Sequence, residues 1–316
     1  MEELPLVSII CTVFNQEAFV NECLDSVAAQ GYRDFELIII ENGSKDRSRS
    51  LVRPWIEKHP HLSIQAIYHE VPLPYCESFN KGLQLSRGKY IIDLSGDDLI
   101  FPFHLEKSVG KLEKNPAAAF CFSDAELFEY GKKPKTFYQR SPQGMLLDRV
   151  QEGDLYMQIV AGNPVLSVTM VFDASKLKEA GGYDEALAYE DFDIMIRLSR
   201  YHLAVFSDHI GVGKRLHPAS FSSKQYLPKL SVMLPSTLKV CQKIKSMNEN
   251  QEEDRALSIR VLYEAKHALW SANFEVASGF LELAKSLDVK GIEYGFFRNW
   301  AKLKLDLSRL YVLLKK

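Results

Sequence analysis

The first hundred residues alternate between strand-length apolar runs and stretches of helical spacing, and this alternation narrows the fold more than any other feature. LVSIICT at 6–12, FELIII at 35–40 and KYIIDL at 89–94 are continuous and rich in β-branched residues. Such runs read as strands buried on both faces, as in a parallel sheet. A further strand is expected at 62–69. Residues 18–30 carry Phe19, Cys23, Val27 and Ala28 at helical intervals and stop at Gly31, a residue suited to a helix C-terminus. Residues 48–58 predict a second helix, with Pro54 kinking it or lying near an end, and 78–85 predict a third. Strand and helix in this order demand right-handed crossovers and a mostly parallel, Rossmann-like α/β sheet flanked by helices. Ligands of such sheets bind beyond the carboxyl ends of the strands. Thr12, Asn15 and Gln16 stand there after the first strand, Glu41, Asn42 and Ser44 after the second, and Ser95, Gly96, Asp97 and Asp98 after KYIIDL.

Beyond residue 100 the pattern predicts a helix at 103–112 and a strand at 117–123. A polar, weakly patterned stretch at 130–155 suits a loop over the site. A strand at 167–172 precedes GGYDEALAYEDFDIMIRLSR, a glycine turn entering a helix. A short strand at 205–210 leads to GKRLHPASFSS, read as a loop. From about 225 the spacing turns helical. QEEDRALSIRVLYEAKHALW and NFEVASGFLELAKSLD form a hairpin, with Phe274, Ala277, Leu281 and Ala284 on one face, loosely like a tetratricopeptide unit. One hairpin cannot bury its own face and must pack on something else. The expected organisation is an α/β domain at 1–224 and an all-α extension at 225–316. Residues 296–316 hold Arg298, Lys302, Lys304, Arg309, Lys315 and Lys316 against Asp306, interleaved with Phe296, Phe297, Trp300, Leu303, Leu307, Leu310 and Leu314. That composition suits an interfacial membrane helix, although a docked helix with a solvated face is the commoner source of such a pattern.

Net charge is −2, which argues against a dedicated nucleic-acid binder. It leaves room for a nucleotide whose charge a metal neutralises. The five cysteines are odd in number and none sits in a CxxC spacing, so neither a disulfide framework nor a thiolate zinc site is expected. They read as small buried hydrophobes in a reducing, cytoplasmic setting. MEELPLVSII is acidic where a secretory segment is basic, so no signal peptide is expected, nor is a transmembrane helix, for want of a long enough apolar run.

Asp97 and Asp98 are the most informative pair. Adjacent carboxylates after an apolar strand repel each other unless a cation is present, and together they make a seat for a hard divalent ion that also grips a diphosphate. An isolated pair is more often a solvated turn or a helix cap. Glu190 and Asp191, with Asp193 beyond, open a helix. A carboxylate there can take a proton from a hydroxyl, or simply offset the helix dipole. Glu41 can accept the imino N–H of a nucleobase, or be an ordinary turn acid. His217 is a candidate third metal ligand, although a lone histidine usually is not one. Lys214 and Arg215 suit phosphate contacts, as do many surface cations.

In combination, TVFNQEAFVNECLDSVAAQ, FELIIIENGSKDRS, FNKGLQLSRGKYIIDLSGDD and GGYDEALAYEDFDIMIRLS resemble the family 2 glycosyltransferases of the GT-A fold, over roughly residues 5–220. The resemblance implies inverting transfer of a sugar from a nucleoside-diphosphate donor to a glycan or lipid-linked acceptor, as in bacterial surface polysaccharide synthesis. It implies that Asp97 contacts ribose or metal and that Asp98 holds Mg²⁺ or Mn²⁺ against the diphosphate. Asp191 is implied as general base beside Glu190, with Thr12, Asn15 and Glu41 lining the nucleoside pocket and Asn80 and Lys81 near the donor. The chain departs from the family at Ser95, where an aspartate is common, and at Glu41-Asn42, where two aspartates are common. The implied partners are a nucleotide sugar and an acceptor, with no nucleic acid. They admit a homodimer and a peripheral contact of the C-terminal helix with the inner face of a membrane. Two rival readings differ in class. One is a non-catalytic sugar-nucleotide-binding or assembly protein acting through its helical tail, against which the intact acids speak. The other is a nucleotidyltransferase, against which TVFNQEAF speaks, since it lacks a glycine-rich basic loop.

Overall fold

The computed structural model describes residues 6–129, 131–162, 164–217 and 220–314; Lys315 and Lys316 of the basic tail lie outside the described residues. The chain divides into two units. One comprises Met1–Leu155, Pro164–Ala186 and Arg197–Leu216, and the other Tyr156–Asn163, Leu187–Ile196 and His217–Lys316.

The first unit is built on a sheet of nine strands among the described residues. These are β1 (Val7–Val13), β2 (Phe35–Glu41), β3 (Ser63–Tyr68), β4 (Tyr90–Ser95), β5 (Leu99–Ile100), β6 (Ala118–Glu129), β7 (Lys135–Thr136), β8 (Val171–Asp173) and β9 (Leu203–Leu216). Their order is β3-β2-β1-β4-β8-β6-β9-β5, with β7 on β6. The first four pair in parallel. β8 runs antiparallel to β4 and β6, β6 and β9 are parallel, and β5 is antiparallel to β9. Every residue of β1 and of β2 is buried, as expected for strands covered on both faces. Helices α1 (Val20–Ala28), α2 (Ser48–Lys58), α3 (Tyr75–Leu85) and α4 (His104–Glu113) belong to this unit. All five cysteines are free and buried.

The elements depart from expectation where polar residues sit inside them. β6 and β9 run well past the strands expected at 117–123 and 205–210, because a buried acid in β6 is neutralised. Asp124 is fully buried. Its carboxylate meets Arg140 Nε at 2.6 Å and accepts the N–H groups of Ala125 and Tyr138. Lys214, Arg215 and Leu216 consequently lie in β9 rather than in a loop. α3 begins at Tyr75 instead of 78, with Pro74 supplying its N-cap. The first half of the expected strand at 167–172 is a 3-10 turn, in which Thr169 Oγ1 donates to Leu166 O and accepts Ser123 N–H.

The second unit holds α5 (Tyr156–Ala161), then, after α6 (Ala174–Glu179) of the first unit and α7 (Asp191–Ser199), the helices α8 (Leu234–Met247), α9 (Gln251–Trp270), α10 (Phe274–Ser286), α11 (Ile292–Leu303) and α12 (Ser308–Leu314). α9 and α10 form the expected hairpin. The helical tail is broken in two where Lys304 takes a left-handed conformation, φ 49°. The buried Arg260 pairs with Glu264 and donates to the carbonyls of Val160 and Gly162, closing the end of α5.

Two features of the first unit are open to test. α3 approaches the sheet through Gly82, where a Cβ would lie 2.6 Å from Ile10 Cγ2 and 2.9 Å from Ile40 Cδ1. Gly82→Ala is expected to cost about 1–3 kcal/mol by overpacking, read as a lower denaturant midpoint at unchanged slope. His104 Nδ1 and His209 Nε2 lie 3.2 Å apart in the interior. Burial, with His209 beside it, lowers His104 to about 3, and burial, with Lys107 and Arg140 outweighing Asp208, lowers His209 to about 4, from the usual 6.5. The unfolded chain therefore takes up protons that the fold refuses, and stability is lost as pH falls from about 6.5 toward 4, on the order of a few kcal/mol. Melting temperature measured across this range should fall more gently in His209→Asn than in the natural chain.

Candidate active site

The carboxyl ends of β1, β2 and β4 carry linked polar side chains, all within the first unit. Asn15 sits at φ 53°, a left-handed conformation that asparagine tolerates. Its side-chain oxygen accepts Lys45 N–H at 2.8 Å, and its own N–H donates to Ser44 Oγ at 3.0 Å. The loops after β1 and β2 are thereby tied together. Gln16 Nε2 reaches Ser95 Oγ at 3.1 Å, and Ser95 Oγ donates to Asp97 Oδ1 at 2.5 Å. Ser95 thus orients Asp97.

Glu41 is fully buried. Its Oε1 accepts Ser44 N–H at 2.7 Å, and its Oε2 lies 3.6 Å from Arg49 Nε without forming a hydrogen bond. Thr12 is 4% exposed, and its hydroxyl oxygen has no hydrogen-bond partner. An orphaned buried hydroxyl is costly, and a ligand at the strand end would satisfy it.

Asp98 dominates the electrostatics. It is 4% exposed, and burial, then the neighbouring charge of Asp97, raises its carboxyl to about 7, with Lys214 and Arg215 opposing. Arg215 closes the turn from β9. Its N–H donates to Asp98 Oδ1 at 2.9 Å and its guanidinium to the Asp97 carbonyl and to Glu22. The guanidinium also lies 5.1 Å from the centroid of the Phe19 ring. This role was hidden in the sequence, where Arg215 looked like one more loop cation.

Asn80 is spent on the protein itself: it bonds Tyr183 N and O and Glu185 Oε1. Lys81 pairs with Glu77 one turn away, at 3.5 Å. Asp93, which sequence reasoning passed over, accepts the hydroxyls of Tyr75 at 2.6 Å and Tyr183 at 2.8 Å. An acid inside an apolar strand was the available signal.

Glu190, Asp191 and His217 belong to the second unit. Glu190 and Asp191 stand at the start of α7, where Ile194 N–H donates to Glu190 O and Asp191 Oδ1 accepts Phe192 N–H at 2.6 Å. Asp193 is buried against Lys243 at 2.6 Å. His217 N–H donates to Ser220 Oγ.

Among the described residues no group of three or more His, Cys, Asp or Glu side chains is assembled as a ligand set. The chemistry of the acidic turn nevertheless fits a hard divalent cation. Two adjacent carboxylates supply oxygen donors, and one of them is buried where its own ionisation is unfavourable without a compensating charge.

Residues 8–158 match the family Glycosyl transferase family 2. An uncharacterized glycosyltransferase of Rickettsia typhi is 27% identical over 220 residues, which span 68% of this chain and 65% of that protein. S. aureus TarS 1-349, solved in complex with UDP-GlcNAc, has a similar structure, with a TM-score of 0.71 at 15% identity over 97% of this chain and 91% of that one. The mannosyltransferase PcManGT from Pyrobaculum calidifontis, solved in complex with GDP-Man and Mn²⁺, gives a TM-score of 0.62 at 15% identity over 96% of this chain and 85% of that one. At such identities the likeness is one of fold.

Because the fold holds the Asp98 carboxylate where its charge is disfavoured, Asp98→Asn should melt a few degrees higher than the natural chain at pH 8 in chelator. The same variant should lose any rise in melting temperature that Mn²⁺ gives with a nucleoside diphosphate. Differential scanning fluorimetry reads both.

Proposed function

We propose that this chain, whose residues 8–158 match the family Glycosyl transferase family 2 and whose fold is similar to that of TarS, transfers a sugar, with inversion, from a nucleoside-diphosphate sugar to a hydroxyl of a glycan or lipid-linked acceptor. The observation that carries the reading is the Asp97-Asp98 turn at the end of β4, with one carboxylate buried beside the strand ends where ligands of open sheets bind. The donors named for TarS and PcManGT, and the Mn²⁺ of the latter, support the same donor class.

In this reading Thr12, Asn15 and Glu41 line the nucleoside pocket, with Asn80 and Lys81 near the donor. Asp97 and Asp98 hold Mg²⁺ or Mn²⁺, with His217 as a third ligand. When bound, that ion offsets the charge on the leaving diphosphate. Asp191, assisted by Glu190, takes the proton from the acceptor hydroxyl as its oxygen attacks the anomeric carbon. The bond from that carbon to the diphosphate breaks, and one in-line displacement inverts the centre. Residues 1–224 form the catalytic domain in this proposal. The helices of 225–316 position the acceptor, a partner subunit such as a second copy, or a membrane surface. The acceptor class and the cytoplasmic setting follow bacterial surface polysaccharide synthesis.

The test is a panel of nucleotide sugars with Mn²⁺, reading thermal shift and nucleoside diphosphate release. One donor should stabilise the protein only with metal. Asp191→Ala should bind that donor as well as the natural chain does and turn over about 10²–10⁴-fold more slowly. A flat melting curve with every nucleotide would remove the catalytic reading in favour of a binding protein acting through its helices.

A further inference from the structure

The last two helices bury one face and leave apolar residues outside it. α11 buries Phe297, Trp300 and Ala301, with Trp300 edge-on to Trp270 at 5.3 Å. Ile292, Phe296 and Leu303 remain 94%, 60% and 79% exposed. Four and seven residues apart, they share one side of the helix. α12 inverts the usual pattern. It buries Ser308 and Tyr311, whose hydroxyl meets His267 Nδ1 at 2.7 Å, and it exposes Leu310, Leu313 and Leu314 at intervals of three and one. A helix facing only water would hide the leucines and show the serine.

The charge beside these stripes is basic. Arg298, Lys302, Lys304 and Arg309 are all exposed. Of the acids in the two helices and their link, Glu293 is exposed and Asp306 is paired with Lys229 at 2.7 Å. This cationic surface belongs to a chain whose net charge is −2. No described helix is long and apolar enough to cross a membrane. A second copy placed symmetrically on this face would bring like charges together, which disfavours self-association.

We infer that α11 and α12 form a docking surface for an anionic lipid bilayer, with Ile292, Phe296, Leu313 and Leu314 entering the interface and Lys302 and Arg309 meeting the headgroups. Apolar side chains flanked by cations are the combination that binds such interfaces. The inference deepens the reading of a lipid-linked acceptor, but it rests on surface chemistry alone, so its test uses neither donor nor acceptor.

The full chain is floated with phosphatidylcholine vesicles and with vesicles that also contain phosphatidylglycerol. The natural chain should float with the second and not the first, less so as salt rises. Phe296→Ser with Leu313→Ser, and separately Lys302→Glu with Arg309→Glu, should each weaken binding on the order of tenfold or more. All four positions are exposed, so melting temperatures should hold. A natural chain that stays unbound with phosphatidylglycerol, or variants that float as it does, would overturn the inference. So would a dimer in sedimentation velocity that the serine pair abolishes, in the absence of flotation, which would assign the face to a second copy.

Discussion

A buried carboxylate at the end of β4 is the constraint around which the first unit is organised. β4 lies among the parallel strands, yet the next strand in sequence, β5, pairs at the far edge with β9. The turn that carries the chain across is Gly96-Asp97-Asp98. Its geometry is fixed from β9 by Arg215, which holds the Asp98 carboxylate and the Asp97 carbonyl together. From the β1 side, Gln16 acts through Ser95 on Asp97. The acidic turn is therefore a structural junction as well as a candidate ligand site. Fixing the carboxylates before any ligand arrives spares the cost of ordering them on binding.

The sheet deals with its buried acids in two ways. Asp124 is neutralised on the spot by Arg140 and backbone N–H groups, and Glu36 by Arg87 and Ser8. Asp98 receives a single backbone N–H and the field of Lys214 and Arg215, which leaves its carboxyl raised to about 7. Asp124 and Glu36 are fully partnered, whereas Asp98 is left under-compensated. Such contrast is characteristic of sites built to receive an external charge.

The parallel half of the fold was legible because burial on both faces writes continuous apolar runs, and helices between them follow by handedness. The second half was less so. The strand expected at 117–123 stops before Asp124, and the one expected at 205–210 stops before Gly211, Gly213, Lys214 and Arg215, whereas the pairing of β6 with β9 carries both strands through. The acidic turn and the strand-end residues were readable as candidates. Their partners were not, because Arg215 reaches Asp98 across 117 positions of sequence and Asn80 reaches Tyr183 across 103. Spacing encodes local structure, while such pairings are set by which strand lies beside which.

The proposed role of Asp97 and Asp98 is that they would hold a divalent cation beside the donor's diphosphate. The most direct measurement is anomalous diffraction at the manganese edge, from crystals grown with Mn²⁺ and the nucleoside diphosphate that best stabilises the chain. A single anomalous peak within about 2.3 Å of an Asp98 carboxylate oxygen and of a phosphate oxygen is the result predicted. A nucleotide bound at the strand ends with Mn²⁺ elsewhere, or a diphosphate held only by protein cations, would contradict it.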